Sequence, residues 1–150
     1  MLQFEVQRRV LHLVYGSQDT LPAECIALAN QYEGYVPGRV GLNFPMSIAA
    51  RTALFLPYQL AADYVIVYRK GDLATKRHEL QHARYFMEED YRRAVRQEWD
   101  SWTDTYREKV IRVLTKQMNY PSDSMDRLID EYQAYQTTER ISPFGTPYKK

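Results

Sequence analysis

Hydrophobic and polar residues alternate in different ways along the first half of the chain. Residues 63–68 (DYVIVY) are rich in β-branched and aromatic side chains and predict a strand, which the segment Arg69-Lys70-Gly71 ends. Residues 4–15 are ambiguous, because some of their apolar positions recur at helical spacing and others alternate as in a strand. Residues 35–56 carry several glycines and prolines, which favour irregular loops. Together these patterns predict a small, mostly antiparallel sheet with irregular connections.

Helical spacing marks the other parts of the chain. A first helix is predicted to begin at Pro22, with Gly34 just past its end. Residues 72–119 keep a helical pattern, but one straight helix of that length would span about 70 Å. A compact chain of this size has a radius of gyration of about 15 Å. We therefore expect the segment to bend or split near residues 88–90 or 100–105, where acidic and cap-forming residues concentrate.

The C-terminal region predicts one more helix and a tail. The helix is expected to begin at Ser122 or Asp123 and to run to about Glu139. Residues 141–150 contain two prolines and a glycine and predict an extended tail. The whole pattern predicts an α+β fold, in which the small sheet packs on a long helix and further helices follow. A chain of 150 residues suits a single domain, which we assign to residues 1–140.

Composition narrows the class of protein. The net charge is +1, and the 20 basic and 19 acidic residues are interspersed, which argues against a nucleic-acid-binding surface. No apolar run approaches the length of a membrane span, and the charged residues near the N-terminus fall where a signal peptide would be apolar. Cys25 is the only cysteine, so no intramolecular disulfide can form. We expect a cytoplasmic protein that binds neither nucleic acid nor membrane.

The segment His78-Glu79-Leu80-Gln81-His82 carries the clearest chemistry. It reads His-Glu-x-x-His and contains two of the three histidines of the chain. On a helix, residues four apart share a face, so both imidazoles can bind one metal ion, for which Zn²⁺ is the natural candidate. Glu79 lies beside them and can take a proton from a metal-activated water. The alternative is a pair of histidines without a metal, either exposed to solvent or satisfied within the core.

A catalytic zinc needs a third protein ligand, and the sequence offers three candidates. Glu131 is the first choice, because it lies at the edge of the apolar face of the last predicted helix, where a carboxylate is costly unless it is paired or binds a cation. Glu98 also borders an apolar stripe, but it can reach the motif only if the chain reverses near Asp90. His12 is the remaining histidine, and a carboxylate from a later helix is the more economical choice.

Two further residues have a candidate role near such a metal. Tyr135 lies one turn beyond Glu131, and its phenol could stabilise a developing oxyanion. A packing role is the alternative for Tyr135. Arg84 could bind a substrate carboxylate, although its position does not distinguish that role from surface charge.

The motif resembles that of the zincin metallopeptidases. With the later Glu131, it resembles the subclass with two histidines and a glutamate, called gluzincins, and also small uncharacterised metallopeptidase domains of microbes and viruses. The resemblance covers about fifteen residues in two blocks. It implies that His78, His82 and Glu131 are zinc ligands, that Glu79 is the general base, and that the substrate is a peptide or protein. The interval from His82 to Glu131 is longer than is typical of thermolysin-like enzymes.

The family fold also implies that an edge strand of the sheet holds the substrate in extended form. Here residues 63–68 or 52–56 would have to serve. The alternative hypothesis is a non-catalytic structural or interaction protein that keeps a zincin-like scaffold. Its 13 tyrosines and two tryptophans would then serve a protein partner or an assembly.

Overall fold

The computed structural model of the protein describes residues 1–147 and has an α+β fold. Its sheet has four strands, which are β1 (Gln3–Gln7), β2 (Val10–Tyr15), β3 (Leu42–Pro45) and β4 (Tyr64–Arg69). The strand order across the sheet is β1-β2-β4-β3. The β1–β2 and β3–β4 pairs are antiparallel, and the β2–β4 pair is parallel. The predicted small, mostly antiparallel sheet is therefore confirmed.

Six α-helices occur in the described part of the chain. They are α1 (Ala23–Glu33), α2 (Met46–Ala49), α3 (Leu73–Met87), α4 (Glu89–Ser101), α5 (Asp104–Arg112) and α6 (Met125–Thr138). A 3₁₀ turn forms at Leu56–Tyr58, and a π-helical turn at Val113–Gln117 extends α5.

The sheet is covered by helices on both faces. Leu11 and Leu13 of β2 face one side, where they pack with residues of α1 and α2. Val10 of β2 and Ile66 of β4 belong to the opposite side, where Ala83 of α3 covers them. Because β2 is buried on both faces, nearly all of its residues are apolar, and its sequence lacks the alternation that identifies a half-exposed strand. The ambiguous residues 4–15 are thus two strands rather than a helix.

A second core forms among α3, α4, α5 and α6. Its largest members are aromatic residues, which are Tyr85, Trp99, Trp102, Tyr106, Tyr132 and Phe144. Phe144 is fully buried, although it lies beyond α6 in the segment expected to be an extended tail. Residues 141–147 form no helix or strand, but they turn back and insert this ring beside Tyr132. Residues 148–150 of the expected tail lie outside the described residues, and the domain boundary at residue 140 stays a prediction.

The long helical segment splits at both expected places. Glu88 has extended backbone angles (φ −101°, ψ 100°) and separates α3 from α4. Trp102 is also extended, and the Thr103 side chain accepts a hydrogen bond from the Tyr106 backbone N–H to cap α5. These breaks fold α4 and α5 back, so that α6 packs against α3.

The structure corrects the expectation about the edge strand. Residues 63–68 fall mainly in β4, which lies between β2 and β3 and has no free edge. Residues 52–56 form turns and the start of the 3₁₀ turn and are not a strand. Both proposed edge segments are therefore wrong. Strand β3 is an edge strand of the sheet and packs against α3.

No helix within residues 1–147 combines the length and the apolar composition that a membrane crossing requires.

Candidate metal centre

Helix α3 carries the His-Glu-x-x-His segment between the sheet and α6. The Asp72 side chain starts the helix by accepting hydrogen bonds from the backbone N–H (3.1 Å) and the hydroxyl (2.6 Å) of Thr75. Leu80 and Ala83 pack towards the sheet. His78 and His82 lie one turn apart on the side of α3 that meets α6. Helix α3 thus uses one face for packing and another for its histidines.

The two imidazoles and the Glu131 carboxylate converge. One ligand atom from each of the three residues lies within 4.8 Å of the other two. His78 Nε2 is 3.3 Å from His82 Nε2, and His82 Nε2 is 3.0 Å from Glu131 Oε1. Zn–N bonds of about 2.0–2.1 Å in a tetrahedral site place neighbouring ligand atoms about 3.3 Å apart. The separations therefore suit three ligands of one small cation.

Glu131 is buried, and one of its carboxylate oxygens has no hydrogen-bond partner among the described residues. Its side chain is 6% exposed, and Oε2 is buried without a hydrogen-bond partner. The nearest imidazole nitrogen, His78 Nε2, is 3.7 Å from it. An unpaired carboxylate oxygen is costly to bury, and a cation at the centre of the group would remove this cost.

A second carboxylate, that of Asp130, contacts the other ring nitrogen of His82. Asp130 Oδ1 lies 2.9 Å from His82 Nδ1, and the Gln133 side-chain amide donates to the same oxygen at 2.9 Å. The Tyr91 hydroxyl donates to Gln133 Oε1 at 2.7 Å, which fixes the Gln133 amide in turn. The contact is an ion pair outside hydrogen-bond geometry, and the negative charge of Asp130 favours a proton on Nδ1, which leaves Nε2 for the metal position.

The electrostatics of the group follow from these contacts. Burial alone would lower the pKa of His82, but Asp130 and Glu131 outweigh it and hold that pKa well above its ordinary value. Burial raises the pKa of the Asp130 carboxyl. Burial alone would also raise the pKa of Glu131, but the two neighbouring histidines outweigh burial and hold that pKa below its ordinary value. A proton on His82 and a bound cation therefore compete for the same group of side chains.

Glu79 is fully buried on the adjacent flank of α3. Its Oε2 accepts a 2.8 Å hydrogen bond from the Asn43 side-chain amide of β3. Burial is the main cause that raises the pKa of the Glu79 carboxyl, and the nearby His82 and His78 oppose the shift. Glu79 therefore combines a fixed orientation with a basicity above that of an exposed glutamate.

These groups open into a cleft of about 310 Å³. His78, Glu79 and Glu131 line it, together with Tyr120 and Tyr135. The Tyr135 ring packs edge-on against His78 with 4.5 Å between ring centroids, and its hydroxyl is 2.9 Å from that of Tyr120. The expected packing and oxyanion roles of Tyr135 are thus both compatible with its position.

A buried ion pair forms another wall of the same cleft. Arg39 Nη1 lies 2.5 Å from Glu33 Oε1, and each side chain is only 10% exposed. Burial, followed by the charge of Glu131, raises the pKa of the Glu33 carboxyl to about 7. This pair places a guanidinium and a carboxyl group in the wall of the cleft that His78 and Glu131 also line.

The remaining sequence candidates lie elsewhere. Glu98 is exposed on α4 and lies outside the converging group. His12 is buried in β2, where its Nδ1 is 3.0 Å from the Tyr68 hydroxyl. Arg84 is exposed and stacks on the Tyr91 ring at 3.8 Å. Of the three predicted choices for a third ligand, the fold brings only Glu131 to the two histidines.

Sequence reasoning missed Asn43, Tyr120, Asp130 and the Glu33–Arg39 pair. Asp130 could have been found, because it is the sequence neighbour of Glu131, the first choice for the third ligand. Asn43 stands out only as a polar residue within the apolar segment LNF, a weak signal before the strand order is known.

Comparisons of the chain with protein-family models, with curated proteins and with solved structures found no match.

Proposed function

We propose that the protein is a zinc-dependent hydrolase that cleaves peptide bonds. The observation that carries the proposal is the convergence of His78 Nε2, His82 Nε2 and the Glu131 carboxylate within 4.8 Å, beside the buried carboxylate of Glu79. Two imidazoles and one carboxylate are a set of ligands used by catalytic zinc sites, which leave the fourth position for water or substrate.

The chemistry of the donors favours zinc over magnesium or calcium. Those two cations prefer six or more oxygen ligands, whereas the group here supplies two nitrogens and one carboxylate. The unpartnered Oε2 of Glu131 supports a bound cation, and the Asp130 carboxylate beside Nδ1 supports a ligating role for His82, because ligating histidines usually have such a partner. In this proposal zinc, when bound, polarises the substrate carbonyl and makes the attacking water more acidic.

The side chains of the cleft have separate roles in the proposed reaction. Glu79 accepts the proton of the attacking water and then delivers it to the leaving amine. In this proposal Tyr135, whose hydroxyl contacts that of Tyr120, donates a hydrogen bond to the developing oxyanion. Asp130 keeps the His82 ring in the orientation that directs Nε2 into the group.

A peptide is the substrate class that the surroundings of the cleft favour. Val40 and Gly41, which lead into β3, line the cleft, and β3 is an edge strand. The backbone of an edge strand can pair with an extended peptide and present it to the site. In the proposed enzyme this role passes from residues 63–68 and 52–56 to β3.

A second candidate is a non-catalytic protein with this scaffold. The observation that favours it is the ion pairing of His82, which Asp130 and Glu131 neutralise without any metal. The histidines would then be a buried structural network, and the aromatic residues would serve a partner or an assembly.

The substitution Glu79→Gln separates the two candidates. The amide keeps the shape of the side chain but cannot accept the proton, so the variant should keep its zinc and lose about 10²–10⁴-fold in hydrolysis rate. Zinc content is measured by elemental analysis, and cleavage of a peptide library is followed by mass spectrometry. A wild-type protein that holds zinc but cleaves no peptide, with Glu79→Gln behaving identically, would support the non-catalytic candidate.

A further inference from the structure

Asn43 joins the sheet to the carboxylate of Glu79. It lies on β3, is 3% exposed, and its Nδ2 donates to Glu79 Oε2 at 2.8 Å. Its Oδ1 accepts a 2.5 Å hydrogen bond from the hydroxyl of Tyr64, a fully buried residue of β4. The neighbours of Asn43 in β3, Leu42 and Phe44, point to the opposite face of the sheet, where they belong to the apolar core.

The ionised form of Glu79, which is the form that acts as a base, fixes the orientation of the Asn43 amide. An ionised carboxylate accepts hydrogen bonds and donates none, so the NH₂ end of the amide faces Glu79. The carbonyl end then faces Tyr64, which has a hydroxyl proton to donate. Each partner fixes the orientation of the next, and the bonds connect the Glu79 carboxylate to the inner strand β4.

Gly41 provides the space that this arrangement needs. A Cβ at this position would stand 2.8 Å from Glu79 Oε1, closer than real Cβ contacts come, and would also clash with Thr75. The residue before β3 must therefore lack a side chain if the Glu79 carboxylate is to stay where Asn43 holds it.

We propose, on the basis of the function proposed above, that Asn43 is a positioning residue for the general base Glu79. The amide fixes Oε2, which leaves Oε1 as the oxygen that takes the proton from water. Tyr64 holds the amide in place, and Gly41 allows the carboxylate to approach the strand. A glutamate has three side-chain torsions, and a misplacement of about 1 Å in a catalytic group can cost about 10²-fold in rate. The side chain of Asn43 therefore contributes to the rate through Glu79 and takes no part in the proton transfer itself.

The test compares Asn43→Ala and Asn43→Asp with Asn30→Ala. Asn30 is a suitable control, because it is a partly buried asparagine of α1 whose side-chain oxygen has no partner among the described residues. Crystal structures of the variants report the position of the Glu79 carboxylate. Zinc content, thermal stability, and kcat and KM on the best peptide from the library are measured on the same preparations.

We expect the Glu79 carboxylate to leave its position, or to spread over several rotamers, in both Asn43 variants and in neither the wild type nor Asn30→Ala. We expect kcat to fall by about 10²-fold, with KM and zinc content unchanged. Asn43→Asp keeps the shape of the side chain and is examined in the same way if Asn43→Ala does not fold.

Several results would overturn the proposal. One is a Glu79 carboxylate that stays in place in both Asn43 variants. Another is a fall in kcat that only accompanies loss of zinc or of thermal stability, because a purely structural role would give that pattern. A wild-type protein without zinc or hydrolysis would refute the proposed function instead, and the position of Glu79 in the variants would then still decide whether Asn43 fixes it.

Discussion

Asp130 offers a sharp test of how the site is built, because it contacts the proposed zinc ligand His82 and is not itself one of the three proposed ligands. Its Oδ1 lies 2.9 Å from His82 Nδ1, and His82 is 1% exposed, so solvent cannot replace a lost partner readily. Loss of such an outer partner typically weakens metal binding by about 10–100-fold, equivalent to about 1.4–2.7 kcal/mol. In Asp130→Asn a neutral amide still lies against Nδ1 but the charge is lost, so we expect about tenfold weaker zinc binding. In Asp130→Ala both the charge and the contact with Nδ1 are lost, so we expect about 100-fold weaker binding.

Zinc affinity is measured by competition with a chromophoric chelator at pH 8. Asp126→Asn is the matched control, because Asp126 lies one turn earlier on α6 and does not contact either histidine. Asp130 also raises the pKa of His82 and so favours the proton that competes with zinc. The difference between wild type and Asp130→Asn should therefore shrink as the pH falls. Equal zinc affinity of wild type, Asp130→Asn and Asp130→Ala at pH 8 would refute the arrangement proposed for His82.

Two further predictions concern the support of the site. Phe144→Ala should reduce the free energy of unfolding by about 3 kcal/mol, because it empties a fully buried position beside Tyr132. Urea titration measures this loss. A loss below about 0.5 kcal/mol would show that the C-terminal segment does not belong to the core. Although burial opposes the shift, hydrogen bonds from Arg96 and Tyr85 lower the pKa of Asp126. Its stabilising contribution, below about 1 kcal/mol for this half-exposed carboxylate, should be complete above about pH 4 and disappear as the pH falls through the lowered pKa. The stability of Asp126→Asn should therefore fall less than that of the wild type as the pH is lowered below about 4. An equal fall in both proteins would contradict the lowered pKa of Asp126.

The helical parts of the site could be predicted because their spacing is local. His78 and His82 share a helix face, and Glu131 stands at the border of an apolar stripe, so each is conspicuous before any tertiary contact is known. The helix breaks at Glu88 and Trp102 followed from the clash between a very long helix and a compact chain. These inferences needed only helix periodicity and chain length.

The sheet side of the site could not be predicted, because strand order is not a local property. The sequence 63–68 reads as a strand, but nothing in it says that β2 and β3 pair on its two sides. Asn43 was missed for the same reason, because its contact with Glu79 can be recognised only once β3 is known to lie beside α3. Tyr120 was hidden for a related reason, since it follows Asn119, whose positive φ of 64° turns the chain towards the cleft.

The zinc content of the purified protein tests the central claim most directly. After expression in zinc-supplemented medium, elemental analysis should find about one zinc per chain in the wild type, as expected for a single set of ligands. The double variant His78→Ala plus His82→Ala should hold none, and Glu131→Ala should lose most of it, whereas Glu98→Ala should match the wild type because Glu98 lies outside the converging group. A wild type without zinc, or equal zinc in the wild type and the double histidine variant, would contradict the account.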